Sequence, residues 1–72
     1  MENRGVNVLI FVNGEPQTIE PTTILGYLEA LAVDPRRVAV ELNLDILPKT
    51  AYETTSLNEG DRVEIVHFVG GG

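Results

Sequence analysis

From Val6 to Val12 the chain is apolar and largely β-branched, interrupted only by Asn7. A run of this kind predicts a strand. Asn13-Gly14 follows at once, the dipeptide most favoured in a two-residue hairpin turn. Pro16 to Glu20 then reads as the returning strand, with proline at its entrance, where the missing N–H is tolerated. Alternation along the first strand places Val6, Val8, Ile10 and Val12 on one face and Leu9 and Phe11 on the other. The one helical period comes next. Ile24, Leu28 and Leu31 fall at i, i+4 and i+7, with Leu25 and Ala32 alongside. Pro21-Thr22-Thr23 precedes it, so one of the two threonines is expected to cap the helix. Gly26 inside the pattern costs about 1 kcal/mol relative to alanine, or marks close packing on a neighbour. Asp34 stands before Pro35 and is pushed out of the α region, which ends the helix near Ala32 or Val33.

Arg37 to Leu42 alternates cleanly, with Val38, Val40 and Leu42 on one side and Arg37, Ala39 and Glu41 on the other. Asn43 to Asp45 reads as a turn and Ile46-Leu47-Pro48 as a short edge strand. Lys49 to Leu57 is irregular, or a single helical turn carrying Tyr52. Asn58-Glu59-Gly60-Asp61 is a further turn, and Arg62 to Phe68 is the last strand. The order is strand, strand, helix, strand, short strand, strand. A hairpin, a crossing helix and strands that return beside the first predict an α+β mixed sheet with one main helix on one face. The last strand is expected beside the first and parallel to it. This is the β-grasp, or ubiquitin-like, arrangement. One domain over residues 1–72 is expected, with residues 6–68 as folded core and 69–72 as a flexible C-terminal glycine tail.

At 72 residues such a domain buries only about 60% of its unfolded surface and has little room for a deep pocket. An enzyme that encloses its substrate is a poor fit; a module that offers a surface or a terminus is a better one. The chain has no cysteine, so a disulfide framework, a zinc knuckle and thiol chemistry are not expected. That composition and the non-apolar start at Glu2-Asn3-Arg4-Gly5 point to the cytoplasm. No apolar run approaches the ~20 residues of a membrane span. Eleven acidic residues against five basic ones give a net charge of −6, which argues against nucleic acid. The charge suits a partner with a basic face, and equally keeps a small protein soluble.

The candidate chemistry lies at the C-terminus. Gly70-Gly71-Gly72 adds nothing to a core, having no side chain to pack and the largest backbone entropy. A frayed end would leave the same run. The alternative is an arm thin enough to thread a narrow channel, ending in an unhindered carboxylate. Adenylation would give that carboxylate a leaving group, which a sulfur or nitrogen nucleophile could displace. The residues just before the arm support a docking role. With Val63 and Ile65 facing the helix, Val66 and Phe68 face away from it. Leu9, Phe11 and Ala39 are expected on that same uncovered side. Exposed apolar patches of this kind mark interaction sites. His67 stands alone, without a partner for catalysis or metal binding. Glu59 and Asp61 read as turn residues and Lys49 as a lone lysine that nothing singles out.

The ending Glu64-Ile65-Val66-His67-Phe68-Val69-Gly70-Gly71-Gly72 resembles that of ThiS, the sulfur carrier family of thiamine biosynthesis. Val12-Asn13-Gly14-Glu15, Val38-Ala39-Val40-Glu41-Leu42-Asn43 and Leu57-Asn58-Glu59-Gly60-Asp61-Arg62-Val63-Glu64-Ile65 are similar to the same family. The resemblance implies a cycle in which Gly72 is the modified residue and Val69, Gly70 and Gly71 form the threaded arm. A ThiF-type adenylyltransferase would use Mg-ATP to adenylate Gly72. A sulfur relay fed by a cysteine desulfurase would convert the adenylate to a thiocarboxylate, and ThiG, the thiazole synthase, would accept the sulfur. The chain would then be a co-substrate with no catalytic residues and no bound metal or cofactor of its own. Three other readings stay open at this point: the MoaD-like small subunit of molybdopterin synthase, a ubiquitin-like protein modifier, and a binding module without terminal chemistry. The Val66-His67-Phe68-Val69 ending resembles the thiamine branch more than the proline-containing ending of MoaD.

Overall fold

Asn13 and Gly14 both lie at positive φ, 50° and 86°. A tight type I′ turn requires that pair of dihedrals, and asparagine and glycine adopt them at least cost. The turn joins β1 (Val8–Val12) to β2 (Glu15–Ile19), antiparallel, with Val12 opposite Glu15. The computed structural model describes residues 6–68. After β2 come helix α1 (Ile24–Ala30), strands β3 (Val38–Leu42) and β4 (Asp45–Leu47), and the last strand β5 (Arg62–His67). Short 3₁₀ turns occupy Pro35–Arg37 and Lys49–Ala51. The sheet runs β2-β1-β5-β3-β4. β5 is parallel to β1 and antiparallel to β3. This is the mixed, one-helix β-grasp sheet that the sequence predicts.

Strand ends differ from the expected ones by a residue or two, and for Val6 the difference has consequences. It precedes β1 and is exposed, so it does not join the helix-facing row. Phe68 likewise follows β5.

The start of α1 shows where a short helix finds its partners. Thr23 is the capping threonine, and its Oγ1 accepts the Gly26 N–H at 3.0 Å. The Ile24 N–H donates to the Thr55 carbonyl and the Leu25 N–H to the Tyr52 carbonyl, each at 2.9 Å. Three donors that a helix leaves free at its N-terminus are thereby satisfied. Two of them are taken by the segment that the sequence shows only as irregular. A Cβ at Gly26 would strike the Thr22 hydroxyl, so this glycine reflects close packing at the capping turn.

The helix also closes earlier than Pro35 requires. The Ala32 N–H bonds to the Glu29 carbonyl and the Val33 N–H to the Leu28 carbonyl, both at 3.0 Å. These are the paired bonds of a Schellman closure. Ala32 holds the left-handed position, φ 60°, where glycine is usual. Leu31 becomes the C-cap and is 47% exposed, so it lies outside the core in which the helical period places it. Tyr27 is buried in the core with Ile24 and Leu28. Ile10, Val38, Val40, Tyr52, Leu57, Val63 and Ile65 complete the core.

Two asparagines fix β5. Asn13 Oδ1 accepts the Ile65 N–H at 2.8 Å, its Nδ2 donates to the Ile65 carbonyl at 3.3 Å, and its backbone N–H donates to the Val63 carbonyl. Asn43 lies in the β3–β4 turn at φ 53°. Its Oδ1 accepts the Arg62 N–H at 2.9 Å, and its backbone N–H donates to the Arg62 carbonyl at 2.8 Å. Each amide supplies a rung that no neighbouring strand reaches, so β5 is held at its first residue, Arg62, and at its middle, Ile65.

Candidate docking face and tail exit

Among the described residues, no further element packs on the sheet face away from α1, and register decides what that face presents. Ala39 stands opposite Val66, and Glu41 opposite Glu64. Phe11 stands beside Arg62. The five apolar residues expected on this face therefore do not form one patch. Val66 and Ala39 are neighbours near the C-terminal end of β5. Phe11 and Leu9 lie toward its N-terminal end, where the Gly60 N–H donates to the Leu9 carbonyl. From the level of Arg62 to that of Val66 is four residues, about 13 Å of strand. Arg62 and Glu64 occupy the interval. The sequence pattern misses this division because alternation gives the face but not the stagger between strands.

The two clusters also differ in exposure. Val66 is 57% exposed, whereas Leu9, Phe11 and Ala39 are half-buried. Phe11, Gly14, Arg62 and Glu64 line an open groove of about 270 Å3. Ile46 stands opposite Glu41 on this same face and is almost fully exposed. Its three-residue strand is too short for alternation to assign it a side.

Phe68 immediately precedes the glycine tail. Its N–H donates to the Arg37 carbonyl at 2.9 Å. Its ring, 57% exposed, lies 5.2 Å from the Lys49 ammonium, which is also 5.7 Å from the Tyr52 ring centroid. Both separations are within cation–π range. Lys49 Nζ donates to the Val38 carbonyl at 2.6 Å and to that of Pro35 at 3.5 Å. Lys49, which nothing singles out in the sequence, therefore ties the residue before the tail to the start of β3. Burial raises the pKa of Tyr52, whose hydroxyl is 3.5 Å from the Val38 carbonyl. Beside this corner Asp34 accepts the Arg36 guanidinium in a fork, Nε to Oδ1 at 3.1 Å and Nη2 to Oδ2 at 3.0 Å. The Arg36 side chain and then its backbone N–H hold the Asp34 carboxyl down at about 2.

Val69, Gly70, Gly71 and Gly72 lie outside the described residues. Among the described residues, no group of three or more metal-ligating side chains converges, and no helix is long and apolar enough to cross a membrane. His67 is exposed on β5 opposite Val38.

The family model described as "ThiS family" matches residues 8–72. The chain belongs to the ThiS family. The sulfur carrier protein ThiS of Thermus thermophilus is 34% identical over 64 residues, covering 89% of this chain and 100% of that protein. A crystal structure of the thiamine biosynthesis protein ThiS from Geobacter metallireducens superimposes with a TM-score of 0.78 at 38% identity, over 90% of this chain and all of that one. The thiazole synthase of Paramagnetospirillum magneticum is 45% identical over 64 residues, or 88% of this chain. There the match spans only 20% of the relative's length. ThiS membership accounts for the β-grasp sheet, and the match extends through the glycines of the terminus.

Proposed function

We propose that the chain is the sulfur carrier of thiazole formation in thiamine biosynthesis, with Gly72 as the residue that carries sulfur. In this reading the Gly72 carboxylate attacks the α-phosphorus of Mg-ATP on a ThiF-type adenylyltransferase, releasing pyrophosphate and forming an acyl-adenylate. A hydrosulfide sulfur then adds to the carbonyl carbon. The C–S bond forms, the C–O bond to AMP breaks, and AMP leaves with the electron pair. Where the donor is a protein persulfide charged by a cysteine desulfurase, a thiol reductant cleaves the resulting acyl disulfide to leave the thiocarboxylate. The chain acts as a co-substrate in the cytoplasm and holds no cofactor of its own. Gly70, Gly71 and Val69 serve as the threaded arm, and the exposed corner at Val66 and Phe68 docks the partner.

The observation that carries the thiazole branch is the likeness to thiazole synthases over nearly the whole of this chain. In those proteins a segment like this one shares a polypeptide with about four times as much further sequence. Tethering a carrier to its acceptor raises its effective concentration, so ThiG is the acceptor we assign.

Intact-mass measurement tests the reading. Incubation with a ThiF-type enzyme, Mg-ATP and sulfide should add the mass difference of one oxygen replaced by sulfur, localised to Gly72. Deleting Gly71 and Gly72 should abolish the gain. An unchanged mass with a competent enzyme would refute the carrier assignment, and a ladder of protein conjugates would replace it with a modifier.

A further inference from the structure

The chain has five basic residues among 72, and three of them meet at one place. Arg37 holds Phe68 through its carbonyl. Lys49 lies against the Phe68 ring and beneath the 3₁₀ turn that carries Arg36 and Arg37. Among the described residues, the acidic groups at this corner are Asp34 and Glu53. Asp34 is shared between two guanidiniums, with Arg36 at 3.0 Å and Arg37 at 3.8 Å. One carboxylate between two arginines leaves the pair net positive. Glu53 joins Arg36, Lys49, Leu25, Pro35 and Tyr52 around a groove of about 180 Å3. Of the other described basic residues only Arg62 remains, and it lies at the far end of β5 among Glu59, Asp61 and Glu64. Among the described residues the charge is therefore polarised: three of the four basic side chains stand at the corner that leads into the tail, and the carboxylates apart from Asp34 and Glu53 lie elsewhere.

The cationic groups are also held in place. Two carbonyls and two rings fix Lys49, and the Asp34 fork fixes Arg36, so less side-chain entropy is lost when they meet a partner. The side chains of Arg36 and Arg37 nevertheless remain 86% and 77% exposed, open to a second set of carboxylates. An acidic protein gains nothing from such a cluster for solubility, because it lowers the net charge.

We propose that Arg36, Arg37 and Lys49 form a cationic collar at the base of the tail that docks on an acidic rim around the tail-accepting channel of the adenylating enzyme. The inference rests on the carrier reading above. An acidic rim would attract the collar and repel the remainder of the carrier, so the tail would arrive first and in one orientation.

The test is the KM for carrier in the enzyme's ATP–pyrophosphate exchange, measured at low and at physiological ionic strength. Arg36→Ser combined with Arg37→Ser should raise KM about tenfold at low salt and flatten its salt dependence, as loss of a rim charge pair does. Gln17→Glu combined with Thr18→Glu, on exposed β2, changes the net charge by the same amount and should leave KM within about twofold of the parent. Circular dichroism confirms that both double variants are folded. A collar variant with parental KM and salt dependence would overturn the proposal. So would a β2 variant as impaired as the collar variant, since net charge alone would then account for the effect. If the parent itself supports no exchange with a competent enzyme, the carrier reading fails and the collar falls with it.

Discussion

β5 carries two rows of side chains on opposite sides of one sheet. Val63 and Ile65 are buried beneath α1, with Ile10, Val38 and Val40 beside them. Arg62, Glu64 and Val66, interleaved with them in sequence, are exposed. The backbone and the neighbouring strands are the same for both rows. What differs is that one face is covered by a seven-residue helix and the segment that caps it, and the other, among the described residues, carries no such cover. The covered face therefore carries the stability and the uncovered face is free to carry recognition. A chain of this size can separate the two tasks because burying one side of a sheet suffices to hold it.

Substitutions that strike one face at a time sharpen that division. Leu28→Ala empties a fully buried site on the covered face and should cost about 3 kcal/mol, with a range of 2–5. Urea denaturation measures it, and a loss below 1 kcal/mol would mean that the helix is not what holds the sheet. Asn13→Gly keeps the positive φ of the turn but removes the amide that bonds Ile65. Two lost hydrogen bonds predict about 1–2 kcal/mol, together with faster amide exchange at Ile65. Ala32→Gly relieves the left-handed alanine at the Schellman position and should stabilise by about 0.5–1 kcal/mol, seen as a higher thermal midpoint. Val66→Ser on the uncovered face should change stability by less than about 0.5 kcal/mol. Its effect should appear in partner binding, which would erase the distinction between faces if it stayed intact while the fold weakened.

The smallest expected effect concerns pH. The folded-state pKa of Asp34 is depressed from 3.8 to about 2, so its ion pair with Arg36 favours the fold above the unfolded value. That contribution is lost as pH falls through the window from about 4 to about 2. Carboxyl NMR should give a midpoint near 2 for Asp34, and Arg36→Ser should move it up toward 3.8.

The two hairpin turns show how much of this was legible in the sequence. Asn13-Gly14 announces its turn because both residues tolerate positive φ. Asn43-Leu44 adopts the same sign of φ at both positions, 53° and 75°, yet leucine is a poor candidate for it. There, β3–β4 pairing and the hydrogen bonds of Asn43 to β5 hold the turn. Tyr52 and Leu57 were likewise invisible as core residues. They lie in a segment without periodicity, and they are buried because that segment folds over the start of α1. Lys49 had no legible signature, since apart from the Tyr52 ring its partners, the Pro35 and Val38 carbonyls and the Phe68 ring, are distant in the chain.

The sequence by itself determined the element order, the inward rows of β1, β3 and β5, a threonine cap at the start of α1 and the glycine terminus. Each follows from local chemistry: period, cap preference, or the absence of a Cβ. Only the tertiary structure decided the stagger of β5 against β1, which separates Phe11 from Val66, and the meeting of Arg36, Arg37 and Lys49 beside Phe68. Alternation repeats every two residues and is indifferent to how far one strand slides along another in steps of two. Hydrogen-bonding register and the two asparagine clamps fix that distance, and with it the shape of the surface from which the tail departs.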